Sequence, residues 1–264
     1  MDILKLLLPR NEYAAEEQKY DWRPVMFEVK NDKQVLFYFG ANHSHNPADP
    51  QYPILKKYWN KFLKATKNKD RKDKIVLVEG CLRPLEDEEK AIINGSEGSF
   101  MTLLAHEADV SVVCPDFNND ELMESLPDLN KDEVLLYWFL SWFNNFQKRI
   151  EPKPNFEKSV QMWCENQKQK KIWKDTKISL LRLKELYKKI LDKDFNEKEN
   201  QNNLINPNKI GTPINRVASA QSDLRDINIT TEILRYWNEG KSIFAVFGRG
   251  HLIIQKPALR KLLS

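Results

Sequence analysis

Four short apolar runs, at residues 35–39, 75–78, 110–113 and 243–247, are rich in Val, Ile and Phe and show little polar alternation. That is the pattern of strands buried on both faces. Residues 26–29 predict another strand. The turn Asn31-Asp32-Lys33 joins it to residue 35 as an antiparallel hairpin. Helical patterns lie between the runs. Ile54, Leu55, Tyr58, Trp59, Phe62 and Leu63 recur at helix spacing, and Phe100, Leu103 and Leu104 do so after Ser99. Ile229, Ile233 and Trp237 follow Ser222, an N-cap candidate, and precede Gly240, a C-terminal cap candidate. Strands alternating with helices predict an α/β fold: a central, mostly parallel mixed sheet flanked by helices.

The middle of the chain departs from this alternation. Residues from about 119 to 195 offer helices only: 134–146 is apolar on most faces, and 156–173 and 178–191 are amphipathic and Lys-rich. They read as a large α-helical insertion within a single α/β domain spanning 1–264. Residues from about 194 to 215 are Asn-rich and read as a flexible, solvated loop. Trp138, Trp142, Trp163 and Trp173 make the insertion either a well-filled core or a ligand groove. No internal repeat is visible.

Composition narrows the function classes. The chain has 264 residues, 41% hydrophobic and 30% charged, which fits a buried core under a polar surface. No apolar run approaches the length of a membrane span. Residues 1–10 lack the basic start and small-residue cleavage site of a signal peptide. With 42 basic against 38 acidic residues the net charge is +4, which gives no warrant for nucleic-acid binding. Cys81, Cys114 and Cys164 are odd in number and far apart, so they read as small buried thiols of a reducing compartment and point to the cytoplasm. The oligomeric state is not legible.

In open parallel sheets ligands bind beyond the carboxyl ends of the strands. After the predicted strands come Gly40-Ala41-Asn42-His43, Glu79-Gly80, Cys114-Pro115-Asp116 and Gly248-Arg249-Gly250-His251. Taken singly, each has an ordinary structural reading. A strand-end His is commonly a hydrogen-bonded structural residue, Glu79 could favour a helix N-terminus, and Asp116 could stabilise a turn. The repeated Gly-x-x-His pattern beside a strand-end acid is what points to a functional cluster. His45 lies two residues past His43 and points elsewhere; His106 falls in a helical pattern. Arg225, read as first-turn after Ser222, would be opposed by the helix dipole, so it either faces solvent or aims at an anionic group. Asp226 could hold Arg225 or a histidine in place.

The segments GANHSHNP, VLVEG, SEGSFMTLLAHEADVSVVCPDF, SDLRD and FAVFGRGHLIIQKPAL together resemble the superfamily of erythromycin esterase-like, TraB-like, Tiki-like and ChaN-like proteins. The resemblance covers residues 35–117 and 222–263 and leaves out the helical insertion. It rests on two Gly-x-x-His motifs, a strand-end Glu and a late Arg. It implies that His43 and His251 are the motif histidines, Glu79 the strand-end acid and Arg225 the late arginine, with Glu97 as a further candidate. Arg249 stands where small residues are usual, beside His251, and is grouped with Glu97 and Asp116 as substrate-binding. Esterase-like members use a histidine base without metal, Tiki-like members are metal-dependent proteases, and ChaN-like members bind haem. Fold analogy does not choose among these.

The favoured expectation is hydrolysis of an ester or amide in a small-molecule or peptide substrate. His43 would take a proton from water, Glu79 would orient it, and Arg225 and His251 would stabilise the oxyanion. No Gly-x-Ser-x-Gly elbow is present. The alternatives are a metal-dependent hydrolase in which His43, Glu79 and His251 bind zinc or manganese, and a non-catalytic protein binding haem or another ligand. No cofactor is favoured.

Overall fold

The computed structural model describes residues 2–21, 23–80, 87–117, 119–126, 128–147 and 154–263. In chain order its main elements are α1 (Tyr13–Glu17), β1 (Val25–Lys30), β2 (Val35–Ala41), α2 (Gln51–Ala65), β3 (Lys74–Val78), α3 (Glu88–Glu107), β4 (Ser111–Val113), α4 (Asn119–Glu124), α5 (Lys131–Gln147), α6 (Phe156–Lys168), α7 (Leu180–Leu191), α8 (Asn202–Ile205), α9 (Pro213–Asn238), β5 (Ser242–Gly248) and α10 (Arg249–Leu263). The chain divides into two compact units, Met1–Asp116 with Arg225–Ser264, and Phe117–Leu224.

The first unit is the expected α/β fold. Its sheet has the order β1-β2-β5-β3-β4. The β1–β2 hairpin is antiparallel and the other pairings are parallel. Asn31 makes the hairpin turn by accepting hydrogen bonds from the backbone N–H groups of Lys33 and Gln34. Side chains alternate across the sheet. Leu36, Tyr38, Leu77 and Ala245 pack on one face with Ile229 and Ile233 of α9 and Leu252 and Ile253 of α10. Phe37, Phe39, Val76 and Phe244 pack on the other with Tyr58 and Phe62 of α2 and Phe100 and Leu104 of α3.

Strand burial follows position in the sheet. β2 and β5 are buried at every residue. β4 is an edge strand and is exposed or half-buried along its length, so the expectation of two covered faces fails there. Cys114, just past that edge, is half-buried and not fully buried as expected; Cys164 is a buried free thiol. Cys81 lies outside the described residues.

The second unit contains the predicted insertion and extends past it at both ends. Its core gathers Leu136, Phe139 and Leu140 of α5, Trp163 of α6, Leu183 and Tyr187 of α7, and Ile214 and Val217 of α9. Trp138, Trp163 and Trp173 are buried in it. The stretch expected to be a flexible, solvated loop is largely exposed or half-buried, but it is anchored at Gln201 and Asn215. Gln201 is fully buried and accepts a hydrogen bond from the Tyr187 hydroxyl, and the Asn215 amide donates to the carbonyls of Asn203 and Leu204. Among the described residues no helix is long and apolar enough to cross a membrane.

Candidate functional site

Three adjacent strands of the first unit end together. β5 lies between β2 and β3, with Ala41 level with Gly248 and Val78 level with Val246. The Glu79 N–H donates to the Val246 carbonyl at 3.0 Å and continues the β3 ladder by one residue. Parallel register therefore brings the two Gly-x-x-His motifs and the strand-end acid to one edge. Gly248 at the centre leaves room for the His43 ring. A Cβ there would collide with His43 Nε2 and lie 3.3 Å from Glu79 Oε2.

Glu79 is the hub. Its Oε1 accepts from Arg225 Nη2 at 2.8 Å and lies 3.7 Å from His251 Nε2. Its Oε2 accepts from the Gly248 N–H at 2.6 Å and lies 3.4 Å from His43 Nε2. Burial pushes the Glu79 carboxyl up, but Arg225, His251 and His43 outweigh it and hold the group far below the usual carboxylate range. Arg225 also donates through Nε to Asp116 Oδ1 at 2.9 Å. Burial opposes its charge, yet Glu79 and Asp116 keep the guanidinium firmly protonated. Asp116 Oδ2 accepts from the Gly80 N–H at 2.7 Å, so Asp116 links the ends of β3 and β4 to α9.

The placement of Arg225 corrects the sequence reading. Helix α9 starts at Pro213, not after Ser222, so Arg225 sits about three turns inside the helix and the N-terminal dipole is not its opponent.

His43 follows β2 with a left-handed backbone, φ 51°. Besides Glu79 it faces Glu97, whose Oε2 is 3.5 Å from His43 Nδ1. Glu97 begins the second half of α3, just after non-helical backbone at Gly95 and Ser96. It is only 2% exposed. Its Oε1 accepts from the Ser44 N–H at 3.1 Å and from Gln51 Nε2 at 3.3 Å, so it holds the His43 loop from behind. The Glu97 hydrogen bond raises the His43 imidazole and burial lowers it; with the added charge of Glu79 the value is pushed up to about 9. Burial raises the Glu97 carboxyl, but its bonds to His43 prevail and lower it.

His251 lies in the first turn of α10, and its Nδ1 is 2.7 Å from Asp226 Oδ1. Asp226 is fully buried and also accepts from Gln255 Nε2 at 2.8 Å and Arg10 Nη2 at 2.7 Å. Gln255 in turn accepts from the Tyr38 hydroxyl at 2.9 Å. Arg10, Gln51 and Tyr38 carried no sequence signal of their own. Only Gln255, one helical turn after His251, could have been picked out.

Of the residues expected at the site, His43, Glu79, Glu97, Asp116, Arg225 and His251 converge. Arg249 takes a different direction: its Nη1 donates to the Asp21 carbonyl at 3.1 Å and its Nε lies 3.9 Å from Glu17 of α1. His45 Nδ1 lies 2.9 Å from the Ile93 carbonyl, and His106 is exposed in the last turn of α3.

The expected metal ligands His43, Glu79 and His251 are neighbours. Both Glu79 oxygens already accept N–H donors, however, and a guanidinium shares Oε1 with His251. Among the described residues no group of three or more His, Cys, Asp or Glu side chains is arranged to hold a metal ion.

Fold and site define an α/β protein with a His–Glu–Arg–His cluster at the carboxyl ends of a mostly parallel sheet. Set against known proteins, the chain matches no family model, no curated protein and no solved structure.

Proposed function

We propose that the first unit is a metal-free hydrolase of ester or amide bonds, acting on a small-molecule or peptide substrate. The observation that carries this reading is the convergence of His43, Arg225 and His251, from three separate stretches of chain, on the single carboxylate of Glu79. A carboxylate, a guanidinium and two imidazoles at the carboxyl ends of strands are the parts that water activation and oxyanion stabilisation need. Among the groups the chain resembles, the esterase-like members are the ones whose metal-free histidine chemistry this reading follows.

The two histidines divide the work. His43, held at about 9 between Glu79 and Glu97, carries its proton at neutral pH. It therefore serves as the acid, where sequence alone had pointed to the base. His251 is the base. In the step, water loses a proton to His251 Nε2 as its oxygen bonds to the carbonyl carbon. The developing oxyanion faces the guanidinium of Arg225. When the carbon–leaving-group bond breaks, His43 gives its proton to the departing alkoxide or amine. The site's cations are better placed to meet this charge than its anions, since the side chain of His43 is 53% exposed and that of Arg225 29%, against 19% for Glu79.

The experiment is a panel of chromogenic esters and amides hydrolysed by the wild type, His43→Ala and His251→Ala. Turnover by the wild type that either substitution lowers by about 100-fold or more is expected for general acid–base groups. Equal turnover by all three would sink the reading. A parallel titration with zinc and manganese is expected to show no tight stoichiometric binding. Tight binding lost in both variants would replace the metal-free mechanism.

A further inference from the structure

We propose that Asp226 is the positioning residue of this site, fixing the orientation and tautomer of His251 from a buried, charge-balanced socket; the role rests on the hydrolase reading for the base it serves. A separation of 3.7 Å between His251 Nε2 and Glu79 Oε1 is too long for a hydrogen bond, so Glu79 does not hold the ring. The 2.7 Å contact from Nδ1 to Asp226 Oδ1 does. An ionised carboxylate only accepts. Nδ1 therefore carries a proton, and in the neutral ring the lone pair then lies on Nε2, the nitrogen nearer Glu79 Oε1.

The socket is built from four elements. Asp226 comes from α9, one residue after Arg225. His251 and Gln255 are one turn apart on α10, share a helix face and both bond Oδ1. Tyr38 of β2 donates to the Gln255 carbonyl oxygen, which turns the Gln255 amide N–H toward Asp226. Arg10, from the segment before α1, bonds Oδ2 at 2.7 Å and balances the buried negative charge. The Leu8 N–H donates to the Ile254 carbonyl at 2.9 Å, so the segment carrying Arg10 is pinned to the helix carrying His251. A plain structural ion pair would need only Arg10 and Asp226. The imidazole and the amide share the other oxygen, and that oxygen is the one that sets the ring.

The test is histidine ring nitrogen NMR on the full chain, which has four histidines to assign, alongside ester kinetics. In the wild type the neutral His251 ring is expected to carry its proton on Nδ1. In Asp226→Asn, which is nearly isosteric, the amide can donate to Nδ1. The proton then moves to Nε2, and kcat is expected to fall about 1000-fold or more with KM within about threefold. Asp226→Glu should restore the Nδ1–H tautomer and part of kcat. Should Asp226→Asn fail to fold, the wild-type spectrum decides alone: a proton on Nδ1 supports the assignment and a proton on Nε2 overturns it. An unchanged tautomer and kcat in folded Asp226→Asn also overturns it. A wild type with the Nδ1–H tautomer but no turnover of any ester or amide sinks the hydrolase reading and leaves the positioning role standing.

Discussion

His43 stands between two carboxylates, and its chemistry follows from that position more than from being a histidine. Its ordinary value of 6.5 is raised to about 9, with Glu97 as the largest cause. An NMR titration should find the imidazole changing near pH 9, and Glu97→Gln should bring it back toward 6.5. In the proposed reaction His43 is the acid and must be protonated, so kcat/KM should fall as pH rises through about 9. A profile that instead rises through that pH would return His43 to the role of base. Gly248 is the second residue on which the site turns. Gly248→Ala puts a methyl group into the His43 ring. Denaturant unfolding should show a loss of about 1–3 kcal/mol, and displacing His43 should cut turnover about 100-fold.

At the scale of elements, a helix end was read correctly and a helix start was not. Helix α9 closes with the Gly240 N–H donating to the Trp237 carbonyl and the Lys241 N–H to the Tyr236 carbonyl, with Gly240 at φ 81°. This is a Schellman cap. Gly240→Ala forces a side chain into that left-handed position and should lower stability by about 1 kcal/mol, measured by chemical denaturation. At the other end, the pattern around Ser222 matched an N-cap, but the helix runs on to Pro213. Its first turns pack Ile214 and Val217 into the second unit's core, and that partner is invisible to local pattern. The break in α3 was likewise unannounced. Gly95 and Ser96 leave helical geometry, and only the resemblance drew attention to Glu97 beyond them.

For the whole molecule, the helical insertion leaves the first unit at Asp116 and the chain returns at Arg225. The two side chains are bonded at 2.9 Å, so the ends are close. Replacing residues 117–224 by a Gly-Ser linker of about six residues, with a reach of roughly 20 Å, should leave the sheet folded and the His43 titration near pH 9. Circular dichroism and the same NMR titration check this; loss of cooperative unfolding would mean the sheet unit does not stand alone. Stability should also depend on pH from both sides. Glu79 and Glu97 are lowered from 4.5, so their contribution is present above that pH and is lost as pH falls. His43 is raised from 6.5 to about 9, so its contribution is complete below 6.5 and is lost as pH rises through about 9. Thermal melts should therefore peak between pH 4.5 and 6.5.

The strands, the hairpin, the α/β class, the helical character of the insertion and most of the clustered side chains are legible in the sequence. Those features are written in local patterns: apolar runs, helical spacing, and polar residues placed just after strands. Tertiary structure alone decided the rest. Parallel register with β5 between β2 and β3 turned two distant Gly-x-x-His motifs into one site. Edge position, not composition, left β4 half-covered. Arg10 and Gln255 joined the site because packing brought them to a buried carboxylate that had to be balanced and hydrogen-bonded. The proton state of His43 was set the same way, by where Glu79 and Glu97 stand around it.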